Sequence, residues 1–208
     1  MIDVICPQCH RAFSVADALA GRRARCKNCN TPLTIPDLSR AAATTPPTTP
    51  KVPPRIRRLR ADAEQMNDAF ANFPLIRMRH TTGQPPELYE LEYFVRGLER
   101  LPGRKDPIER AYHIVQIQLV ADYPRLAPKC RMLTPIFHPN IEPATICVGD
   151  HWTAGERLVD LVIRIGEMLA YQAYNIKSPL DGEAAMWADL NPDKLPTDAR
   201  NVRPGGVE

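Results

Sequence analysis

From Ile56 onward, apolar residues recur every three or four positions, at Leu59, Ala63, Met66 and Phe70, which predicts an amphipathic helix. Arg57, Arg58, Arg60, Asp62 and Glu64 take its other faces and read as solvated, with a docking surface for the arginines as the alternative. The period then shortens to two. Leu75 to His80 is a first strand, and Leu88 to Leu98 alternates Tyr89, Leu91, Tyr93 and Val95 against Leu88, Glu90, Glu92 and Phe94. Tyr112 to Val120 puts Val115, Ile117 and Leu119 on one face, and Lys129 to Thr134 is a fourth strand. Gly83, Pro85, Pro86, Pro102, Gly103 and Pro107 punctuate the connections.

After Trp152 the helical period returns. Leu158, Leu161, Val162, Ile165, Met168 and Leu169 make a broad apolar face, leaving Asp160, Arg164 and Glu167 as a narrow polar stripe. Thr153 and Glu156 have the spacing of a capping box. A shorter helix is expected from about Gly182 to Ala188, and the polar, Pro/Gly-rich chain over 191–208 reads as a disordered tail that includes Gly205-Gly206. The order predicts an α+β domain over 55–190: a helix, a four-stranded antiparallel meander, a buried central helix and a short following helix.

Upstream the pattern is different. Residues 37–54 are dominated by Ala, Thr and Pro without an apolar period, and predict a semi-extended linker. In residues 1–36 Val4, Phe13, Val15, Leu33 and Ile35 are nearly the whole apolar content, too little for a core at that size. Metal would supply what the core lacks. Cys6-Pro7-Gln8-Cys9 and Cys26-Lys27-Asn28-Cys29 stand sixteen residues apart, and two such turns can close a tetrahedral four-thiolate zinc site of the structural kind. A redox-active pair or an iron centre on the same ligands is the alternative. The stretch resembles the small zinc ribbons at the N-termini of many bacterial proteins. Arg22, Arg23, Arg25 and Lys27 can make a phosphate-binding knuckle or, at least as readily, a solvated turn offsetting the thiolate charge; no partner follows from them, and nucleic acid is not an expected partner of the chain.

Among 208 residues, 44% are hydrophobic and 25% charged, enough for one domain and a small module. A net charge of +3 argues for neither a nucleic-acid nor a membrane partner. The start, MIDVICPQC, lacks a basic segment followed by an apolar one, so the expectation is a soluble cytoplasmic protein, a monomer.

The candidate chemistry lies at Cys147, between Ile146 and Val148, seven residues after the His138-Pro139-Asn140 turn. A cysteine between apolar residues ordinarily fills a core, and Cys130, in a strand beside Met132, is read that way. A polar turn that can bring an amide beside Cys147 makes it a candidate nucleophile. His113 and His151 as bases for a thiol hydrolase are the weaker reading.

The sequence of landmarks over 55–190 resembles the ubiquitin-conjugating enzyme family: Tyr123-Pro124, Pro128, His138-Pro139-Asn140, Cys147, Trp152, and Asn175-Ile176-Lys177-Ser178-Pro179-Leu180. The resemblance implies the UBC-like fold, an acyltransferase activity, and a divergent, bacterial member working with a simplified set of partners. Cys147 would accept a ubiquitin-like protein from an activating enzyme as a thioester and pass it to a lysine amine. Asn140 would stabilise the oxyanion or hold the neighbouring loop, His138 would buttress the turn, and Ser178 would lie near the incoming lysine. The loop from Ile141 to Ile146 is shorter than the family's and contains Pro143. Thr153-Ala154 and Arg125 replace the residues the family uses for ligase docking, so an ordinary RING-type ligase is not the expected partner. The alternative functions are a non-catalytic module of the same fold that binds ubiquitin-like proteins, and nucleic-acid or protein binding by the ribbon.

Overall fold

A computed structural model describes residues 1–37, 52–148 and 152–205, and the chain divides into two units, Met1–Lys51 and Val52–Glu208. Most of the predicted linker, and His151, lie outside the described residues.

The first unit contains two hairpin-like pairs. β1 (Ile2–Ile5) pairs antiparallel with β2 (Ala12–Val15), and β3 (Arg23–Arg25) with β4 (Pro32–Thr34). Ile2, Val4, Leu33 and Ile35 are buried together with Cys6 and Cys26, so the small core is built around the thiols.

The second unit opens with α1 (Pro54–Phe70), where Pro54 takes a first-turn position that needs no backbone donor. Leu59, Met66 and Phe70 are buried as the periodicity predicts. Asp62 does not sit on a solvated face; it is 1% exposed. Arg58 Nε donates to Asp62 at 2.9 Å, and the Tyr123 hydroxyl donates to the same carboxylate at 2.6 Å. Arg58 also reaches the Ala154 and Glu156 carbonyls, so it fastens α1 to the approach to the central helix.

The sheet has strand order β10–β9–β6–β5, an antiparallel meander of β5 (Ile76–Thr82), β6 (Leu88–Tyr93), β9 (His113–Gln118) and β10 (Lys129–Met132). Register stacks Leu91, Val115 and Met132 in one row and Tyr89, Ile117 and Cys130 in the next, all buried. The expected single strand over Leu88–Leu98 is broken. Phe94 to Arg96 leave the sheet, and β7 (Gly97–Glu99) pairs instead with β8 (Ile108–Arg110). Gly97 is required there: a Cβ would come within 2.8 Å of His113 Nε2 and 2.9 Å of the Leu169 carbonyl oxygen.

β11 (Ile141–Glu142) and β12 (Thr145–Ile146) form a further antiparallel pair. The central helix α2 (Leu158–Leu169) buries nine of its residues. It starts later than a Thr153–Glu156 capping box would have it. Arg157 is the N-cap residue, Glu156 N donates to the Thr153 carbonyl in a separate turn, and the Glu156 carboxylate faces Arg164 at 2.9 Å instead of reaching back.

α3 (Gly182–Leu190) is capped by Asp181, whose Oδ1 accepts from Glu183 N and Ala184 N at 3.0 and 2.9 Å. Beyond it the structure departs from the expected disordered tail. Val202 is 1% exposed within the main core, Asp198 accepts from the Arg96 backbone N–H at 3.0 Å, and Arg200 Nη2 donates to the Phe94 carbonyl. Composition misled here because the segment is held by polar contacts together with a few buried apolar residues, Pro196, Val202 and Pro204.

Candidate active site

The six residues from Ile141 to Ile146 close on a two-residue Pro143-Ala144 turn, with Ile141 opposite Ile146 and Glu142 opposite Thr145. Continuing that register by one pair puts Asn140 opposite Cys147, and Cys147 N donates to the Asn140 carbonyl at 3.1 Å. The short loop therefore draws the two residues together. Alternation also sets the direction of the thiol: Ile146 and Val148 are buried, while Cys147 between them is only partly so.

The turn before the hairpin is rigid. His138, wholly buried, accepts the Asn140 backbone N–H on Nδ1 at 3.0 Å and packs against Tyr171 with ring centroids 4.7 Å apart. Burial pushes the imidazole down to about 3, which holds it neutral and suits an acceptor that never becomes a base at ordinary pH. Tyr171 in turn donates its hydroxyl to the Phe137 carbonyl at 2.7 Å.

From this platform the turn clamps a distant loop at both ends. Asn140 Nδ2 donates to the Asn175 carbonyl and Asn140 Oδ1 accepts the Asn175 N–H, both at 2.7 Å. The Pro139 carbonyl accepts from Leu180 N and Asp181 N at 2.8 and 3.1 Å. Ser178, exposed, lies between those anchors. The result is an open cavity of about 190 Å³ lined by Asn140, Cys147, Arg164, Tyr174, Asn175 and Ser178.

The three sequence candidates Cys147, Asn140 and Ser178 thus meet at one cavity, and His138 supports it from below without lining it. His113 stays apart: it is buried at the start of β9, and burial lowers it to about 4. Cys130 is buried in the sheet, and desolvation raises its thiol to about 12, so it stays protonated. Arg164 was read from sequence only as part of a polar stripe. Its place at the cavity depends on how α2 packs beneath the hairpin, which a helical period does not report.

The four cysteines of the first unit also meet, with their sulfurs all within 4.8 Å of one another. Cys6 Sγ is 3.5 Å from Cys29 Sγ and Cys9 Sγ is 3.7 Å from Cys26 Sγ. Both halves use the same turn. His10 N donates to the Cys6 carbonyl and Asn30 N to the Cys26 carbonyl, each at 2.9 Å, with His10 and Asn30 at φ of 56° and 60°. Sulfurs about 2.3 Å from a tetrahedral ion would lie roughly 3.8 Å apart, so the cluster fits a four-coordinate metal.

The ubiquitin-conjugating enzyme family profile matches residues 82–202, more than half of the chain, and the protein belongs to that family. It is 33% identical over 91 residues to the SUMO-conjugating enzyme UBC9 of Caenorhabditis elegans, covering 40% of this chain and 54% of that protein. It is 31% identical over 115 residues to the ubiquitin-conjugating enzyme E2 K of Bos taurus, covering 52% and 56%. The chain thus spans about half the length of the curated relatives it matches. A crystal structure of a Plasmodium yoelii protein assigned as a ubiquitin conjugating enzyme superposes with a TM-score of 0.50 at 19% identity, over 69% of this chain and 88% of that one, a likeness of fold. Among the described residues no helix is long and apolar enough to cross a membrane.

Proposed function

We propose that this protein accepts a ubiquitin-like protein on Cys147 and transfers it to a lysine amine. The observation that carries the reading is the hairpin register, which sets Cys147 beside Asn140 in the lining of an open cavity bordered by the Ser178 loop. A thiolate attacks the modifier's C-terminal thioester on the activating enzyme, that enzyme's thiolate leaves, and a new thioester joins the modifier to Cys147. A lysine amine then attacks the same carbonyl carbon, and Cys147 departs as thiolate.

In this scheme Asn140 is a positioning residue. Both ends of its amide already bind Asn175, so it holds the 175–181 loop over the thiol. Ser178 then orients the incoming amine by a hydroxyl contact, and His138 keeps the turn in place. A partly buried cysteine directly after β12, lining a cavity, favours transfer over a merely binding module.

The first unit would hold one zinc ion on Cys6, Cys9, Cys26 and Cys29, with all four coordination positions filled by protein and a structural role. We assign the protein to the cytoplasm as a monomer whose partners are the modifier, its activating enzyme and, where one exists, a ligase of unusual docking mode. Arg125, exposed and 2.5 Å from Asp122, leaves a charged surface where the family docks ligases with an apolar side chain.

The assay incubates the protein with candidate modifiers, their activating enzyme and ATP. A mass shift reversed by thiol, and absent in Cys147→Ala, is expected. No adduct with any modifier would overturn the proposal.

A further inference from the structure

The chain beyond α3 joins two parts of the second unit that the core alone leaves apart. Residues 196–204 run between the strand break at 94–96 and the exit of α2, and they grip both. On the sheet side the Arg96 backbone N–H donates to the Asp198 carboxylate at 3.0 Å, Arg96 Nη2 to the Thr197 carbonyl at 2.9 Å, and Arg200 Nη2 to the Phe94 carbonyl at 2.8 Å. On the helix side three positions are held. Arg203 Nη2 lies 3.6 Å from Glu167 Oε1, Asp198 N donates to the Ala170 carbonyl at 3.0 Å, and Gln172 Nε2 donates to the carbonyls of Asp198 and Arg200. Asp198 belongs to both sets and is 2% exposed.

The gripped end of α2 leads directly into the cavity. Tyr171 N donates to the Met168 carbonyl and Gln172 N to the Glu167 carbonyl, each at 2.9 Å, the two bonds that close a helix when the next residue turns left-handed. Glycine ordinarily takes that place; here it is Tyr171, at φ 52°. A bulky residue in this region is strained and stays there only where its surroundings over-determine it. The Tyr171 hydroxyl supplies one hold, on the Phe137 carbonyl, and segment 196–204 supplies two more, at Ala170 and Gln172. The next three residues, Ala173, Tyr174 and Asn175, line the cavity together with Cys147. Resting on the transfer reading above, we infer that segment 196–204 is a working part of the site, with Gln172 as a positioning residue. The segment holds the turn at Tyr171, and the turn fixes the wall of the cavity in which the lysine amine meets the Cys147 thioester. Gln172 does not line that cavity and acts only through the turn.

The test is amide hydrogen exchange on the full chain, followed residue by residue. Asn175 N–H, held by Asn140 Oδ1, reports the wall, while Val115 and Ile117 in the middle of the sheet report the global fold. Gln172 is exposed, so Gln172→Met keeps the side chain's length and drops both donated bonds without touching the core. It should speed exchange at Asn175 about 10-fold and leave Val115 and Ile117 unchanged. Arg200→Met, which leaves Gln172 in place, should give the same pattern at about 3-fold. Gln172→Lys, whose ammonium can donate to the same carbonyls, should stay near wild type. Unchanged exchange at Asn175 in Gln172→Met, or a rise shared equally by Val115 and Ile117, would overturn the inference. The consequence for transfer is read separately. Cys147 is acylated with N-acetylglycine phenyl thioester, loading there is verified by peptide mass, and aminolysis by free lysine is timed against the same acyl group on N-acetylcysteine. Gln172→Met should load as wild type does and discharge about 10-fold more slowly. Wild-type aminolysis no faster than the reference would overturn the transfer reading itself. A fast wild type matched by Gln172→Met would overturn only the role given to the segment.

Discussion

The four-thiol cluster and Cys147 place cysteine in opposite ways. In the first unit each pair of thiols is positioned by its own turn, within six residues, and the two turns repeat the same hydrogen bonds. In the second, Cys147 is positioned by a hairpin that rests on a large core, and the loop opposite it is tied down by contacts reaching from Pro139 and Asn140 to residues 175–181. The first arrangement is local and short of apolar support, so under the zinc reading proposed above it would lean on a metal. The second is global, so its weak points lie far from the thiol.

The largest expected effect follows from that dependence on metal. Stripping the ion with a chelator, or replacing Cys26 by Ser, should abolish the fold of residues 1–36, since structural zinc binding in such modules is worth about 10 kcal/mol or more. Backbone NMR shifts of those residues with and without zinc check it, and retained dispersion after chelation would break the contrast.

The next effect belongs to the second unit and to pH. His113 and His138 are held neutral by burial, at about 4 and about 3, against an ordinary histidine value near 6.5. As pH falls below about 6.5 the unfolded chain takes up protons that the folded chain refuses, so stability is full above that value and drops toward acid. Two such groups should remove about 4 kcal/mol by pH 5. Urea unfolding of the second transition at pH 7.5 and pH 5 measures it, and His138→Gln should flatten the slope if the variant folds.

Asp62→Ala removes the acceptor shared by Arg58 and Tyr123 and leaves a guanidinium without its partner, so it should cost about 3 kcal/mol in the same unfolding assay. A loss near zero would mean that the tie between α1 and the loop before α2 contributes little. The smallest effect is at Ser178, whose exposed hydroxyl is one contact of many. Ser178→Ala should slow lysine discharge by less than about 10-fold and leave thioester formation unchanged.

What was legible in the sequence follows the same division. Spacing alone brings Cys6, Cys9, Cys26 and Cys29 together, because each pair needs only its own turn. The period-two strands named the buried rows correctly, since alternation is a local property. Asp62 was missed because a carboxylate among helix arginines looks solvated until Tyr123, sixty-one residues on, is seen to cover it. The docked segment from Asp198 to Val202 was missed for a similar reason: its support comes from backbone groups at Phe94, Arg96 and Ala170. The loop from Ile141 to Ile146 was legible only as short. Its two-residue turn is what makes that shortness bring Asn140 and Cys147 face to face.

The central claim is that Cys147, not another thiol, carries the modifier. Protein loaded in the presence of activating enzyme, ATP and modifier can be digested at low pH without reductant and the adduct located by mass. The account predicts the modifier's C-terminus on the peptide containing Cys147. An adduct on Cys130, or on a cysteine of the four-thiol cluster, would contradict it.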